Sequence, residues 1–298
     1  MITYNHAAFV EDAIKGILQQ ETDAKLKIII GDDCSTDDTI LLLDKYEKEF
    51  PDFIKVIRRN SNVGMMQNFV DVLRQCTGDY IAICEGDDYW NDPKKIAKQL
   101  DWLEKEANVD LVFTNAKVLK QESKEFGPNW ASIKRQRFST KDLLSGNFIT
   151  TCTVLFRNKL SEPLLASLAQ FKLGDWPLYL LLLNQSKSTA YFLDDHTAVY
   201  RQHVGGVYST ITTEKRIKSV LSVYEQLLKE QNFAIYRNLI FKKVSSIYYF
   251  LGCTTVSNTS AKEYFKQSYQ LASLYNVRFP AFSMIRYLQR GIFKVVNF

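Results

Sequence analysis

The chain has 298 residues, 46% of them hydrophobic, and a formal net charge of +5. That length holds more than one small domain and can bury a substantial core. The modest charge is spread along the chain instead of gathered into an arginine-rich block, which gives nucleic acid no footing. The five cysteines, Cys34, Cys76, Cys84, Cys152 and Cys253, form no CxxC pair and read as reduced thiols of a cytoplasmic protein. The opening MITYNHAAF lacks a basic region followed by an apolar core, so no export signal is expected. The longest apolar runs, at 179–183 and from Ile247 onward, fall well short of the ~20 residues that cross a bilayer.

Residues 26–31 (LKIIIG) read as a buried strand, 36–50 as a helix and 53–58 (FIKVIR) as a second strand, with a helix following Gly64. The rhythm continues with a strand at 80–84, a helix opened by Pro93 and a strand at 111–114. Such alternation predicts an α/β fold, a mixed, mostly parallel sheet with flanking helices. Ligands of these sheets gather where strands hand over to helices at their carboxyl ends. Residues 117–137 are polar, hold Gly127 and Pro128 and show no sustained period, which predicts a long excursion or flap. Beyond it, 139–145 reads as helix, 151–156 as strand, 175–184 as helix, and 189–193 and 197–201 as two further strands.

From about Thr213 the strand signals stop and helical patterns take over, so the expected division is a first domain at 1–212 and a helical region at 213–298. Pro280 is placed to start the last helix. That segment mixes Phe282, Ile285 and Leu288 with Arg286, Arg290 and Lys294. Two readings stand open: a helix packed on the first domain, or one lying on an anionic membrane surface, a peripheral contact on the inner face of the plasma membrane.

Three stretches carry chemistry. In IIIGDDCSTDDT a buried strand delivers Asp32 and Asp33 into a loop. A calcium loop is excluded, because the sixth position from Asp33 is Asp38 where glycine is needed and no glutamate closes the loop. Asp37 and Asp38 suit helix capping, whereas Asp33 stands where a strand-end carboxylate accepts hydrogen bonds from a nucleobase or sugar. No GxGxxG follows any strand, so a nucleotide is not held as in a dehydrogenase. In NVGMMQN, Asn62, Gly64 and Asn68 offer amides and a close backbone approach to a ligand, or simply a turn and a helix start. In YIAICEGDDYWNDP, Glu85, Asp87 and Asp88 crowd one strand end. Like charges so close call for a cation, and Mg2+ or Mn2+ takes a few carboxylates and completes its shell with water and substrate phosphates. Capping the next helix needs one acid and not three.

Read in order, TYNHAAFVEDAIKGILQQ, IIIGDDCSTDDT, NVGMMQN and YIAICEGDDYW resemble inverting family 2 glycosyltransferases of the GT-A fold, over most of residues 1–203. The resemblance implies transfer of a sugar from a nucleoside diphosphate donor, UDP-linked, to a hydroxyl of a glycan or lipid-linked glycan in cell-surface polysaccharide synthesis. It implies that Tyr4 packs on the donor base, with Asn5 beside it, that Asp33 bonds the uracil, and that Glu85 and Asp87 are the acids of a DxD motif, Asp87 holding the metal. A glutamate at the first of these places departs from the commonest pattern. Downstream, Asp175 in LGDWPLYL resembles the catalytic base, with Trp176 read as a platform for the acceptor sugar or as core. Arg201 and His203 in YRQHVGGVYS resemble the stretch that gives a histidine to the metal or diphosphate. His6 and His196 have no comparable setting.

The chain opens at Met1 inside what the family treats as its first central strand. Either the start is misassigned or truncated, or the sheet tolerates a short first strand. Rival readings are a nucleotide-sugar binder that has lost its base, against which Asp175 stands, a nucleotidyltransferase, which lacks its glycine- and arginine-rich phosphate loop here, and a calcium-binding module, separable by calorimetry with calcium and with UDP.

Overall fold

Strand β2 (Ile28–Asp32, IIIGD) is buried along its whole length, as a strand of a sheet covered on both faces must be. It lies between β1 (Ile2–Thr3) and β3 (Ile54–Arg58) in a three-stranded parallel sheet. The computed structural model describes residues 1–127, 133–206, 211–255 and 257–274, and the chain divides into two compact units, Met1–Thr210 and Ile211–Phe298.

The rest of the first unit's strands form a mixed sheet. These are β4 (Tyr80–Ala82), β5 (Tyr89–Trp90), β6 (Val109–Lys120), β7 (Glu125–Phe126), β8 (Arg137–Phe138), β9 (Leu155–Arg157) and β10 (Thr189–Gln202). Their order is β4-β9-β6-β10-β5, with β7 on β6 and β8 on β10. The long parallel ladder of β6 and β10 dominates it, with irregularities around His196. The Gly86 N–H donates to Ile2 O at 3.0 Å and ties the two sheets together. Helices α1 (Val10–Leu18), α2 (Thr39–Glu49), α3 (Met65–Arg74), α4 (Lys95–Lys105), α5 (Thr140–Leu143), α6 (Glu162–Leu168) and α7 (Asp175–Ser186) flank the sheets. Val10, Ala13 and Ile14 of α1, Ile28 and Ile30 of β2 and Val109 and Val112 of β6 share one apolar core.

Three expectations need correction. The polar excursion at 117–137 is largely ordered: β6 runs to Lys120, β7 turns back onto it, and β8 pairs with β10. Here β7 folds back on β6 as a local hairpin, while the ladder of β8 is set by β10, a partner distant in sequence that local periodicity cannot register. Residues 128–132, including Pro128, lie outside the described residues. The expected strand at 151–156 is a 3-10 turn at Thr151–Thr153 followed by β9. The two strands expected at 189–193 and 197–201 are one, β10, continuous through polar Asp194–Asp195.

In the second unit, α8 (Thr213–Leu227) opens on Thr212, whose side chain accepts from the Lys215 N–H. α9 (Arg237–Thr254) and α10 (Asn258–Leu274) pack on each other through the Tyr249 and Phe265 rings and through buried Ser245 and Ser268, whose hydroxyls each donate to the other's carbonyl. Gly252 lets the Phe265 ring approach, since a Cβ there would lie 2.8 Å from it. Among the described residues no helix is long and apolar enough to cross a membrane. The helix expected from Pro280 lies outside the described residues.

Candidate active site

One cavity of about 320 Å3 lies at the carboxyl ends of β1, β2 and β4 and gathers Tyr4, Asp33, Asn62, Asn68, Glu85, Asp87, Asp175 and Arg201 from distant parts of the chain. At one end Asp33, 3% exposed, accepts the backbone N–H groups of Val63 at 2.8 Å and Gly64 at 2.9 Å, while Asn62 donates to its carbonyl. Gly64 has φ +89°, a conformation that glycine adopts without strain, and it is this turn that aims its N–H at Asp33. Gly64 thus acts on the carboxylate and does not line the cavity. Asn68 is buried and donates to Gly31 O at 2.8 Å, bracing the strand end. Asn5, in a left-handed conformation, gives its side-chain oxygen to the Thr36 N–H and also does not line the cavity.

At the second acidic turn, the sequence Glu-Gly-Asp has a steric reason. A Cβ at Gly86 would lie 2.7 Å from Thr3 Oγ1 and 2.9 Å from His6 Nδ1, so only glycine lets the turn pass. Asp87 Oδ2 then faces two imidazoles, His203 Nε2 at 3.2 Å and His6 Nε2 at 3.9 Å. Donor atoms of His6, Asp87 and His203 all lie within 4.8 Å of one another, an arrangement able to hold a metal ion. Sequence reasoning set His6 aside because its partners come from β10 and the second turn. The run HAAF before α1 carried no sign of them.

Burial lifts the Glu85 carboxyl well above the ordinary glutamate range, and the charges of Asp87, Asp88 and Asp175 lift it further. Burial pushes Asp87 the same way, yet the hydrogen bond from His203 and the charge of His6 win and hold it below the usual aspartate value. Asp88 does not face the ligand space: it is 1% exposed and accepts the Arg201 N–H at 2.8 Å. Its expected donor contact gives way to a structural role, because burial between β5 and β10 leaves it no opening. Nor does it cap α4, whose start is held by Asp92 accepting from the Lys94 N–H. Arg201 is buried, stacked between Phe9 and Tyr89, and donates to Asp87 O and to Asp12.

Across the cavity, Asp175 is the first residue of α7 and Gly174 its N-cap, so Asp175 does not cap the helix. Its Oδ2 accepts from Asn147 at 2.9 Å and from the Thr151 hydroxyl at 3.2 Å. Burial raises its pKa against these bonds and that of the Trp176 N–H. The turn bearing Thr151 is itself pinned: Trp90 Nε1 donates to Cys152 O at 2.8 Å, and Gln99 and the buried Lys95 donate to Thr153 O at 2.8 and 3.2 Å. Thr151 and Asn147 were not legible in sequence as partners of Asp175. Trp176, read as an acceptor platform, is corrected to core: it is 2% exposed and its Nε1 donates to Leu143 O at 3.0 Å, since the apolar run it leads faces inward.

Comparison with known proteins gives the family and the fold. The family model "Glycosyl transferase family 2" matches residues 1–164. Uncharacterized protein Rv1520 of Mycobacterium tuberculosis is 33% identical over 220 residues, 72% of this chain, and the match spans 61% of that relative's length. Among solved structures, S. aureus TarS 1–349 in complex with UDP-GlcNAc superposes with a TM-score of 0.67 at 13% identity, covering 98% of this chain and 86% of that one. Mannosyltransferase PcManGT of Pyrobaculum calidifontis, in complex with GDP-Man and Mn2+, gives 0.56 at 15% identity, covering 98% and 79%. The fold is the GT-A type, and the chain belongs to glycosyl transferase family 2.

Proposed function

We propose that this protein is a metal-dependent, inverting glycosyltransferase that moves a sugar from a UDP-linked donor to a hydroxyl of a glycan or lipid-linked glycan, in cell-surface polysaccharide synthesis. The observation that carries the reading is one cavity lined at once by Asp33 and Asn62, by Glu85 and Asp87, and by Asp175. Tyr4, 43% exposed at its rim, is the surface for the base. Asp33, its carboxylate held in place by two backbone N–H groups, presents its edge to the nucleoside.

A carboxylate with a neighbouring imidazole fits a divalent cation, so Asp87 and His203 are the residues that would hold Mn2+ or Mg2+. When bound, such a cation offsets the charge of the departing diphosphate. Arg201 adds fixed positive charge at the same end of the cavity. Asp175 takes the proton from the acceptor hydroxyl as that oxygen attacks the anomeric carbon. Asn147 and Thr151 fix the carboxylate's orientation, and its raised pKa makes it a stronger base than an exposed aspartate. With a single carboxylate on the acceptor side acting as base, the anomeric centre inverts and no covalent enzyme intermediate is needed.

A transfer and donor-hydrolysis screen across UDP- and GDP-sugars with Mn2+, run beside Asp175→Asn, tests the reading. The variant is expected to lose about 10³ in kcat, within the usual range for a general base. Equal turnover by Asp175→Asn removes Asp175 from the mechanism.

A further inference from the structure

We propose that His6 is a third protein ligand of the cation, so that the site is made of two imidazoles and one carboxylate and takes Mn2+ in preference to Mg2+. The proposal rests on the metal-dependent reading above and adds a residue and a selectivity to it. The two nitrogen donors reach Asp87 from opposite ends of the first unit's sequence: His6 lies between β1 and α1, His203 just past β10.

Three features favour a ligand over a packed ring. First, the main chain that carries His6 is held in position. Its backbone N–H donates to Thr39 Oγ1 at 2.8 Å, and its carbonyl accepts from Phe9 and Val10 at 2.8 and 2.9 Å. Second, the Nδ1 side is closed by Gly86, while Nε2 faces Asp87 Oδ2 at 3.9 Å, beyond hydrogen-bond reach. Two donors that each stand about 2.1 Å from a shared ion are roughly 3–4 Å apart, which is the range of both imidazole-to-Asp87 distances here. Third, the His6 and His203 rings stand edge to face with centroids 6.1 Å apart, and Phe9 packs on both. The rings therefore converge on the carboxylate and do not stack on each other.

The selectivity follows from donor chemistry. Mg2+ takes oxygen ligands in a tight octahedron and keeps its waters, whereas imidazole nitrogen suits the softer first-row ions. Each imidazole in the set moves the preference away from Mg2+.

The test titrates the full chain with Mn2+ alone, following affinity by calorimetry and counting coordinated imidazole nitrogens by pulsed EPR. Wild type, His6→Ala, His6→Gln, His203→Ala and Asp87→Ala are compared, each checked by thermal melting. The wild type is expected to show two imidazole nitrogens and His6→Ala one. Mn2+ affinity should fall roughly tenfold or more in both His6 variants, the scale of loss seen even for outer-shell partners. Mg2+ affinity should move by less than about threefold. A single imidazole nitrogen in the wild type overturns the proposal however the variants fold, as does unchanged Mn2+ affinity in folded His6→Gln. A wild type that binds no Mn2+, or an Asp87→Ala that binds it equally well, sinks the metal-dependent reading and the proposal with it.

Discussion

The two acidic strand tips, Gly31-Asp32-Asp33 and Glu85-Gly86-Asp87-Asp88, are close relatives in sequence and opposites in space. At the first, every carboxylate oxygen meets a fixed donor: Asp32 takes the Ser35 N–H and hydroxyl, and Asp33 the N–H groups of Val63 and Gly64. At the second, burial raises Glu85 and Asp88, neighbouring acids raise Glu85 further, and Asp87 keeps its charge through imidazoles. A carboxylate whose oxygens each meet a fixed donor is oriented and stabilised, and still keeps lone pairs for a ligand. One that faces other acids and imidazole rings is stabilised by a cation. An acid pair after an apolar strand is thus only half a signal, and the supply of N–H donors around it is the other half.

Removing the charge at the second tip should have the largest effect. Asp87→Ala is expected to lower kcat/KM by several kcal/mol, about 10³ to 10⁴-fold, as measured by steady-state transfer with Mn2+. Activity that survives this change and ignores a chelator makes the two tips equivalent and breaks the comparison. A second test uses Lys95, buried over the Trp90 ring just past that tip, with its pKa lowered by burial to about 7 from 10.5. The folded state gives up this proton before the unfolded state does, so stability should rise with pH between about 7 and 10.5, at up to about 1.4 kcal/mol per pH unit. Lys95→Met should flatten that slope in denaturant melts across the window.

At the first tip the effect should be on stability. Asp33→Asn places an amide against two N–H donors and is expected to cost about 1–3 kcal/mol in denaturant unfolding and to raise the donor KM. No loss of stability would show that the loop does not depend on those bonds. Raised by burial, Asp175 should give an acid limb in kcat/KM above the ordinary aspartate value, activity falling as pH drops through it. The smallest effect belongs to Trp176→Phe, which loses the bond to Leu143 O, about 1 kcal/mol, and should leave the acceptor KM unchanged. A raised acceptor KM would restore its reading as a platform.

Where sequence sufficed, the signal was local. The run IIIGDD announces a buried strand ending in acids because six consecutive residues carry both facts, and β2 is there. The acids at Asp33, Glu85, Asp87 and Asp175 were legible one by one, and all four line one cavity. His6 was not, since nothing in HAAF hints that β10 returns a second histidine to the same carboxylate. Trp176 misled because an aromatic beside an acid reads as a binding platform, while the seven residues after it decide which way the ring turns. The excursion at 117–137 misled for the reverse reason: β7 and β8 are two-residue strands, too short to show a period, and β8 is held by a ladder to distant β10.

The amino-acid order by itself determined the alternation of strands and helices, the acidic strand ends and the helical character from Thr213, because each follows from interactions within a few residues. Only the tertiary structure decided which acids meet fixed donors, which histidines meet Asp87, and that Asn147 and Thr151 hold Asp175. Those contacts join residues up to 116 positions apart, and their strength depends on burial and donor geometry, which exist only once the sheets have closed around them.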